Sequence, residues 1–221
     1  MRIVICRHGE TDLNREKRLQ GRMETQINEN GRGQAALVGK KLKEEKFDAV
    51  FCSPLKRCRE TAQIIMKFLP KNKVVFREEL AEVNLGKYSG MDVRDINEKF
   101  PGDWAERVDN KYEFVHELGE SYKNADEHRV KPLLKEFSEK YSSRNILVIT
   151  HGGICRLMLG DLLGLAPVEK MSIELPNDCI YFVEYRPHKT AVQFYLAESG
   201  IHGEGHLTKE KHEAHLNRKT N

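Results

Sequence analysis

Long apolar runs are missing from the chain: none approaches the roughly 20 residues that a membrane-spanning helix needs, and the N-terminal stretch lacks the charged, apolar and small-residue order of a signal peptide. No membrane association is expected, and a cytoplasmic location is. Cysteine is sparse. Cys6, Cys52, Cys58, Cys155 and Cys179 make an odd number with no Cys-x-x-Cys pair, which argues against a disulfide framework and against a zinc site. They read instead as small buried hydrophobes. An excess of one charge is also lacking, because the net charge of +3 is spread over 221 residues. Without basic clusters interleaved with aromatics, no nucleic-acid partner is expected. With 39% hydrophobic and 32% charged residues, the chain has the composition and length of one large domain or two small ones with an ordinary core.

What is present is charge at the ends of strands. Ile3-Val4-Ile5 is a β-branched run that breaks directly into Cys6-Arg7-His8-Gly9-Glu10-Thr11. A neutral imidazole is a good nucleophile near pH 7, a guanidinium binds phosphoryl oxygens, and glycine lets backbone approach a ligand. Residues 10–30 are polar and aperiodic and read as a long functional loop, with Asn14 and Gln20-Gly21 as neutral hydrogen-bonding groups. From Gly31 the spacing of Ala35, Val38 and Leu42 predicts a helix.

A short strand over Phe47 to Cys52 runs into Ser53-Pro54, a helix-start signal with serine at N-cap and proline at the first helical position. Leu55, Cys58, Ala62, Ile65 and Leu69 form the buried stripe of the helix that follows, up to Pro70. Arg57 falls in its first turn, where a helix favours an anion. A third strand, Val74-Val75-Phe76, leads to a loop in which Glu78, Glu79 and Glu82 compete for a general-acid role. Helical patterns follow over about 91–100 and 121–141, and between them an aromatic, charged segment holds Phe100, Trp104, Tyr112 and Phe114. This segment is either a cap over the site or a helical excursion packed on the core.

The run Asn145 to Thr150 is the clearest strand, of central type, and it ends in His151-Gly152-Gly153 before a helix with Ile154, Leu157, Met158 and Leu162 inward. Two closing strands follow, around a turn at Pro187. From Gly200 the chain becomes polar, with four of the nine histidines, His202, His206, His212 and His215, in the last stretch. Their spacing would suit a divalent metal on a helix, but a solvated terminal extension accounts for them better.

Strands alternating with helices imply an α/β sheet covered on both faces, whose ligand lies beyond the carboxyl ends of the strands. Six motifs in this order resemble the histidine phosphatase superfamily, also called the phosphoglycerate mutase-like family, over Met1 to about Leu196. They are Arg7-His8-Gly9-Glu10-Thr11 with Asn14; Gln20-Gly21; Ser53-Pro54-Leu55-Lys56-Arg57 with Thr61-Ala62; Leu80-Ala81-Glu82 before Gly86 and Gly90; Gly119-Glu120-Ser121; and Thr150-His151-Gly152. The resemblance implies a three-layer α/β/α sandwich with a mixed, mostly parallel six-stranded sheet. The domain would span 1–199, with the cap segment at about 91–125 and a charged tail over 200–221.

The same resemblance implies a phosphomonoesterase that acts on small phosphorylated metabolites through a phosphohistidine on His8, and it selects Glu82 as the acid. Arg7, Arg57 and His151 would surround the phosphoryl group, with Thr11, Asn14, Gln20, Gly21 and Gly152 adding binding contacts. Because side-chain cations take the place of metals, neither a metal nor another cofactor is expected. A homodimer is compatible with this reading. The mutase-type signature has a tryptophan where this chain has Leu13 and a longer basic insertion after the glutamate, so hydrolysis is favoured over a cofactor-dependent phosphoglycerate mutase. A phosphate-binding module without catalysis is the remaining alternative.

Overall fold

In the computed structural model, residues 1–186 and 189–217 are described. The strands are β1 (Arg2–Arg7), β2 (Ala49–Cys52), β3 (Val74–Phe76), β4 (Asn145–Thr150), β5 (Cys179–Glu184), β6 (Ala191–Leu196) and β7 (His202–Glu204). They form one sheet in the order β3-β2-β4-β1-β5-β6-β7. β1 pairs in parallel with β4, and β4 with β2 and β2 with β3 likewise; β5, β6 and β7 are each antiparallel to the strand before them in the sheet. The expected turn at Pro187 lies outside the described residues.

The helices are α1 (Asp12–Arg15), α2 (Glu29–Leu42), α3 (Lys56–Ile65), α4 (Val93–Lys99), α5 (Asp103–Asp109), α6 (Tyr122–Ala125), α7 (Lys131–Lys140), α8 (Gly152–Leu163), α9 (Pro167–Ser172) and α10 (Lys209–Asn217). Because side chains alternate across a strand, Ile3 and Ile5 of β1 face one core with Ile146 and Val148, while Val4 and Cys6 face the other with Leu147 and Ile149. The first core is closed by α7 and α8 through Phe137, Ile154, Leu157 and Met158. The second is closed by α2 and α3 through Val38, Leu42, Cys58, Ala62 and Ile65. The α/β/α layering and the apolar stripes thus agree with the sequence, and all five cysteines are buried and free.

Several elements differ from expectation. The sheet has seven strands rather than six: His202, Gly203 and Glu204 pair with Tyr195, Phe194 and Gln193. Just beyond them Leu207 is fully buried, so burial of one leucine holds a polar segment against the sheet. The loop over 10–30 contains one helical turn, α1, held by reciprocal Thr11 and Asn14 hydrogen bonds, and α2 begins at Glu29 behind an Asn28 cap.

The helix after Ser53-Pro54 begins only at Lys56 and ends at Ile65. Leu55 stays extended, and the Ser53 hydroxyl is engaged by His151 at 2.7 Å, with the Leu55 amide at 3.3 Å. The 121–141 helix is interrupted by a π turn over Asp126–Val130. Pro132 lacks an N–H and would clash in a regular helix, and a widened turn accommodates it. Between α4 and α6, Phe100, Trp104 and Phe114 pack with Tyr88 and Ile96 in a small core of their own, against Leu19, while Tyr112 joins the main core.

Candidate active site

The parallel register fixes which residues meet at the carboxyl edge. Arg7 is opposite Thr150, and Cys52 is opposite Ile149. The His8 amide donates to the Thr150 carbonyl at 2.9 Å and the Ser53 amide to Ile149 at 3.0 Å. His8, Ser53 and His151 therefore leave three adjacent strands side by side, as the order of motifs predicts.

The two histidines have opposite tautomers. His8 Nδ1 lies 2.8 Å from the Gly9 carbonyl, which can only accept, so Nδ1 carries the proton and Nε2 keeps its lone pair. His151 Nδ1 accepts from Arg57 Nε at 3.1 Å, so its Nε2 donates to Ser53 Oγ at 2.7 Å. Burial, then the positive charges of Arg57 and Arg7, holds the His8 pKa well below the usual imidazole value. Burial, then Arg57, does the same for His151. Both rings are neutral at pH 7, with centroids 5.2 Å apart.

Arg57, only 1% exposed, organises the loop that faces it. Beyond His151 it donates to the carbonyls of Met23 at 2.8 Å and Gly21 at 2.7 Å and to Thr25 Oγ1 at 3.3 Å. Thr25 in turn donates to Gln20 Oε1 at 2.8 Å. Arg7 donates to the Leu175 carbonyl at 2.6 Å, and its buried Nε has no partner among the described residues. Asn14 Oδ1 accepts from the amide and hydroxyl of Thr11, which leaves the Asn14 amide nitrogen to turn outward.

Glu82 approaches from the other side. Its two oxygens accept from the amides of Val83 at 2.9 Å and Gly153 at 3.0 Å. A Cβ on Gly153 would sit 2.4 Å from Glu82 Oε1, so only glycine lets the carboxylate this close to the start of α8. Arg129 holds the approach loop by donating to the Ala81 carbonyl at 2.6 Å and pairing with Glu120 at 2.8 Å.

These groups surround a cavity of about 160 Å³ lined by Arg7, His8, Asn14, Gln20, Gly21, Arg57, Glu82 and Gly152, together with Arg18, Arg107, Tyr122 and Arg156. Of the expected site residues, Thr11 and His151 do not line it: Thr11 is spent on Asn14, and His151 lies behind His8 against Arg57 and Ser53. Arg18, Arg107, Tyr122 and Arg156 line it in addition to the expected site residues. For Arg156 a signal existed, since it is the only charge in the first two turns of the otherwise apolar α8. Asn177, which donates to the His8 carbonyl at 2.9 Å, has none, because its position depends on a loop arriving from 169 residues away in sequence. Among the described residues, no three or more His, Cys, Asp or Glu side chains are grouped to hold a metal ion.

Five arginines and one glutamate around a buried histidine, at the carboxyl edge of an α/β sheet, define an enzyme that handles phosphate. The chain belongs to the histidine phosphatase superfamily, branch 1, whose model matches residues 3–197. Its activity is that of a phosphoric monoester hydrolase acting on small phosphorylated compounds through a phosphohistidine. A metal-independent phosphoserine phosphatase of Arabidopsis thaliana is 33% identical over 94% of this chain and 86% of its own length. Phosphoserine phosphatase 1 of Hydrogenobacter thermophilus is 32% identical over 75% of this chain and 77% of its own. Among solved structures, a putative alpha-ribazole-5'-P phosphatase from Escherichia coli superposes with a TM-score of 0.77 at 23% identity, covering 95% of this chain and 97% of that one.

Proposed function

We propose that His8 is the phosphoryl acceptor and Glu82 the proton carrier of this phosphatase. The observation that carries the reading is the His8 tautomer: Nδ1 is spent on the Gly9 carbonyl, and the ring lines the cavity that Glu82 also lines. His8 Nε2 attacks phosphorus, the P–O bond to the alcohol breaks, and Glu82 protonates the departing oxygen. The resulting carboxylate then takes a proton from water, which attacks phosphorus, breaks the N–P bond and releases phosphate.

Arg7, the last N–H of Arg57, the Asn14 amide, Gln20, the Gly21 backbone and the first turn of α8 at Gly152 hold the phosphoryl oxygens. His151 and Thr11 are positioning residues in this scheme, one for Arg57 and the other for Asn14. Cationic side chains supply the charge stabilisation, so the reaction needs no metal. A cytoplasmic location is part of the same reading; the described residues include no helix long and apolar enough to cross a membrane.

Brief incubation with labelled substrate and an alkaline quench is expected to leave base-stable, acid-labile phosphate on the wild type and none on His8→Ala. Turnover of p-nitrophenyl phosphate should vanish with the label and persist in EDTA. Retained label or turnover in His8→Ala would overturn the assignment, and loss of activity in EDTA would overturn the metal-free scheme. With 3-phosphoglycerate and a trace of 2,3-bisphosphoglycerate, the protein is expected to release phosphate; rapid isomerisation without release would make it a mutase.

A further inference from the structure

Gly119-Glu120-Ser121 is one of the six motifs, yet none of its three residues lines the cavity. Packing and capping account for the outer two. A Cβ on Gly119 would lie 2.3 Å from the Asn84 carbonyl oxygen, so glycine lets the chain pass close against the loop that carries Glu82. Ser121 caps α6, its hydroxyl accepting from the Asn124 amide at 3.0 Å. Between them the Glu120 amide donates to the Asn84 carbonyl at 2.9 Å. The backbone is thus fixed on both sides of Glu120, and its side chain is left to be explained.

One carboxylate oxygen, Glu120 Oε1, accepts from three donors: the Asn84 amide at 2.9 Å, Arg129 Nη2 at 2.8 Å and Arg22 Nη2 at 3.2 Å. Both arginines are also attached to the chain beside Glu82. Arg129, in the π turn, donates Nη1 to the Ala81 carbonyl at 2.6 Å and to the Glu79 carbonyl at 3.3 Å. Arg22 donates Nε to the Glu82 carbonyl at 3.2 Å. The peptide groups on both sides of Glu82 are therefore held through a single carboxylate, separately from the two amides that hold the Glu82 side chain. Arg22 also lies between Gly21 and Met23, whose carbonyls accept from Arg57. One arginine thus ties the loop around Arg57 to the loop of Glu82.

Stability gives little reason for such a cluster. The side chains of Arg22, Glu120 and Arg129 are 42%, 19% and 14% exposed, and ion pairs that share their charge with water add little to folding. Position is a different matter: proton transfer needs donor and acceptor within hydrogen-bond reach, and a shift of about 1 Å in a reacting group costs about 10²-fold in rate. We propose that Glu120 is the positioning residue of Glu82, with Arg22 and Arg129 as the two arms through which it keeps the proton carrier in register with the phosphoryl site. The inference rests on the reading of Glu82 as proton carrier and gives that residue a support outside the cavity.

The experiment compares kcat/KM, which reports the steps through phosphohistidine formation, for phenyl phosphate and p-nitrophenyl phosphate, two esters of similar shape whose departing oxygens differ in basicity. Glu120→Ala and the more exposed Arg22→Ala are expected to lower kcat/KM for phenyl phosphate by about ten- to a hundredfold and for p-nitrophenyl phosphate by much less. A general loosening of the fold would lower both alike. In a Glu82→Gln background the same substitutions should cost phenyl phosphate little more, because residues that act as one unit are not additive. Equal losses on the two esters, or an undiminished further loss in the Glu82→Gln background, would overturn the positioning role. Glu82→Gln alone keeps the two readings apart. If it discriminates between the esters while Glu120→Ala and Arg22→Ala do not, only the positioning role falls; if it does not discriminate, the proton-carrier reading falls and the positioning role with it.

Discussion

His8 and His151 share burial, neutrality and almost a common wall, yet only one offers a lone pair to the cavity. The difference comes from backbone: Gly9 turns its carbonyl back onto His8 Nδ1, while His151, as the N-cap of α8, has no such carbonyl and takes its donor from Arg57. Glu82 is similarly defined by its two backbone donors, Val83 and Gly153, which aim the carboxyl with no ion pair among the described residues. A proton carrier matters most when the departing oxygen is a poor leaving group. Glu82→Gln is therefore expected to slow hydrolysis of an alkyl phosphate by about 10²–10⁴-fold, and to slow p-nitrophenyl phosphate, whose phenolate departs without help, by much less in the phosphohistidine-forming burst. Equal losses on both substrates would remove Glu82 from the first step.

At the scale of elements, the site depends on how tightly the chain packs behind it. Gly9 and Gly31 touch backbone to backbone: a Cβ on Gly31 would come 2.2 Å from the Glu10 carbonyl oxygen, whereas one on Gly33, a half-turn further along α2, would meet nothing within 4 Å. Gly31→Ala is expected to destabilise by about 1–3 kcal/mol or more through overpacking, and to reduce activity because Gly9 carries the His8 tautomer. Gly33→Ala should instead stabilise by about 0.5–1 kcal/mol, the usual gain for alanine over glycine in a helix. Paired urea denaturation curves check both signs.

Such contacts mark the limit of legibility in the sequence. β1, β2 and β4 announce themselves through buried β-branched and apolar runs, and because the site residues follow them directly, Arg7, His8, Arg57 and His151 could be placed together from order alone. Ser53 misled, since its hydroxyl fits a helix start but is claimed by a histidine 98 residues away. Among Glu78, Glu79 and Glu82 only the family resemblance singles out Glu82, because what distinguishes it in the fold is a glycine on α8.

For the whole molecule, the unexpected strand carries the sharpest prediction. Leu207 is 0% exposed, its amide donates to the Tyr181 hydroxyl at 3.0 Å, and its carbonyl accepts from the Glu174 amide at 2.9 Å. Compositional reading of 200–221 as a polar tail could not weigh one leucine against so many charges. Ending the chain after residue 199 removes β7 and this anchor and should lower the melting temperature, while ending it after residue 208 should preserve most of the stability. Leu207→Ala alone is expected to cost about 2–5 kcal/mol, as for other fully buried leucines. Thermal melts of the three chains provide the check, and a full-length melting temperature in the chain ending at 199 would refute it.

The middle position of β1 in the sheet has a consequence for how the protein is made. The strand that leads into His8 spans Arg2–Arg7, and its neighbours β4 and β5 begin only at residues 145 and 179. Synthesis therefore leaves an apolar Ile-Val-Ile segment unpaired until β4 and β5 have emerged, and contacts this distant in sequence form slowly. His8, the proposed nucleophile, is translated well before the strands that build the pocket around it. A stalled nascent chain that ends before β5 would be a client for chaperones, with no phosphatase activity of its own.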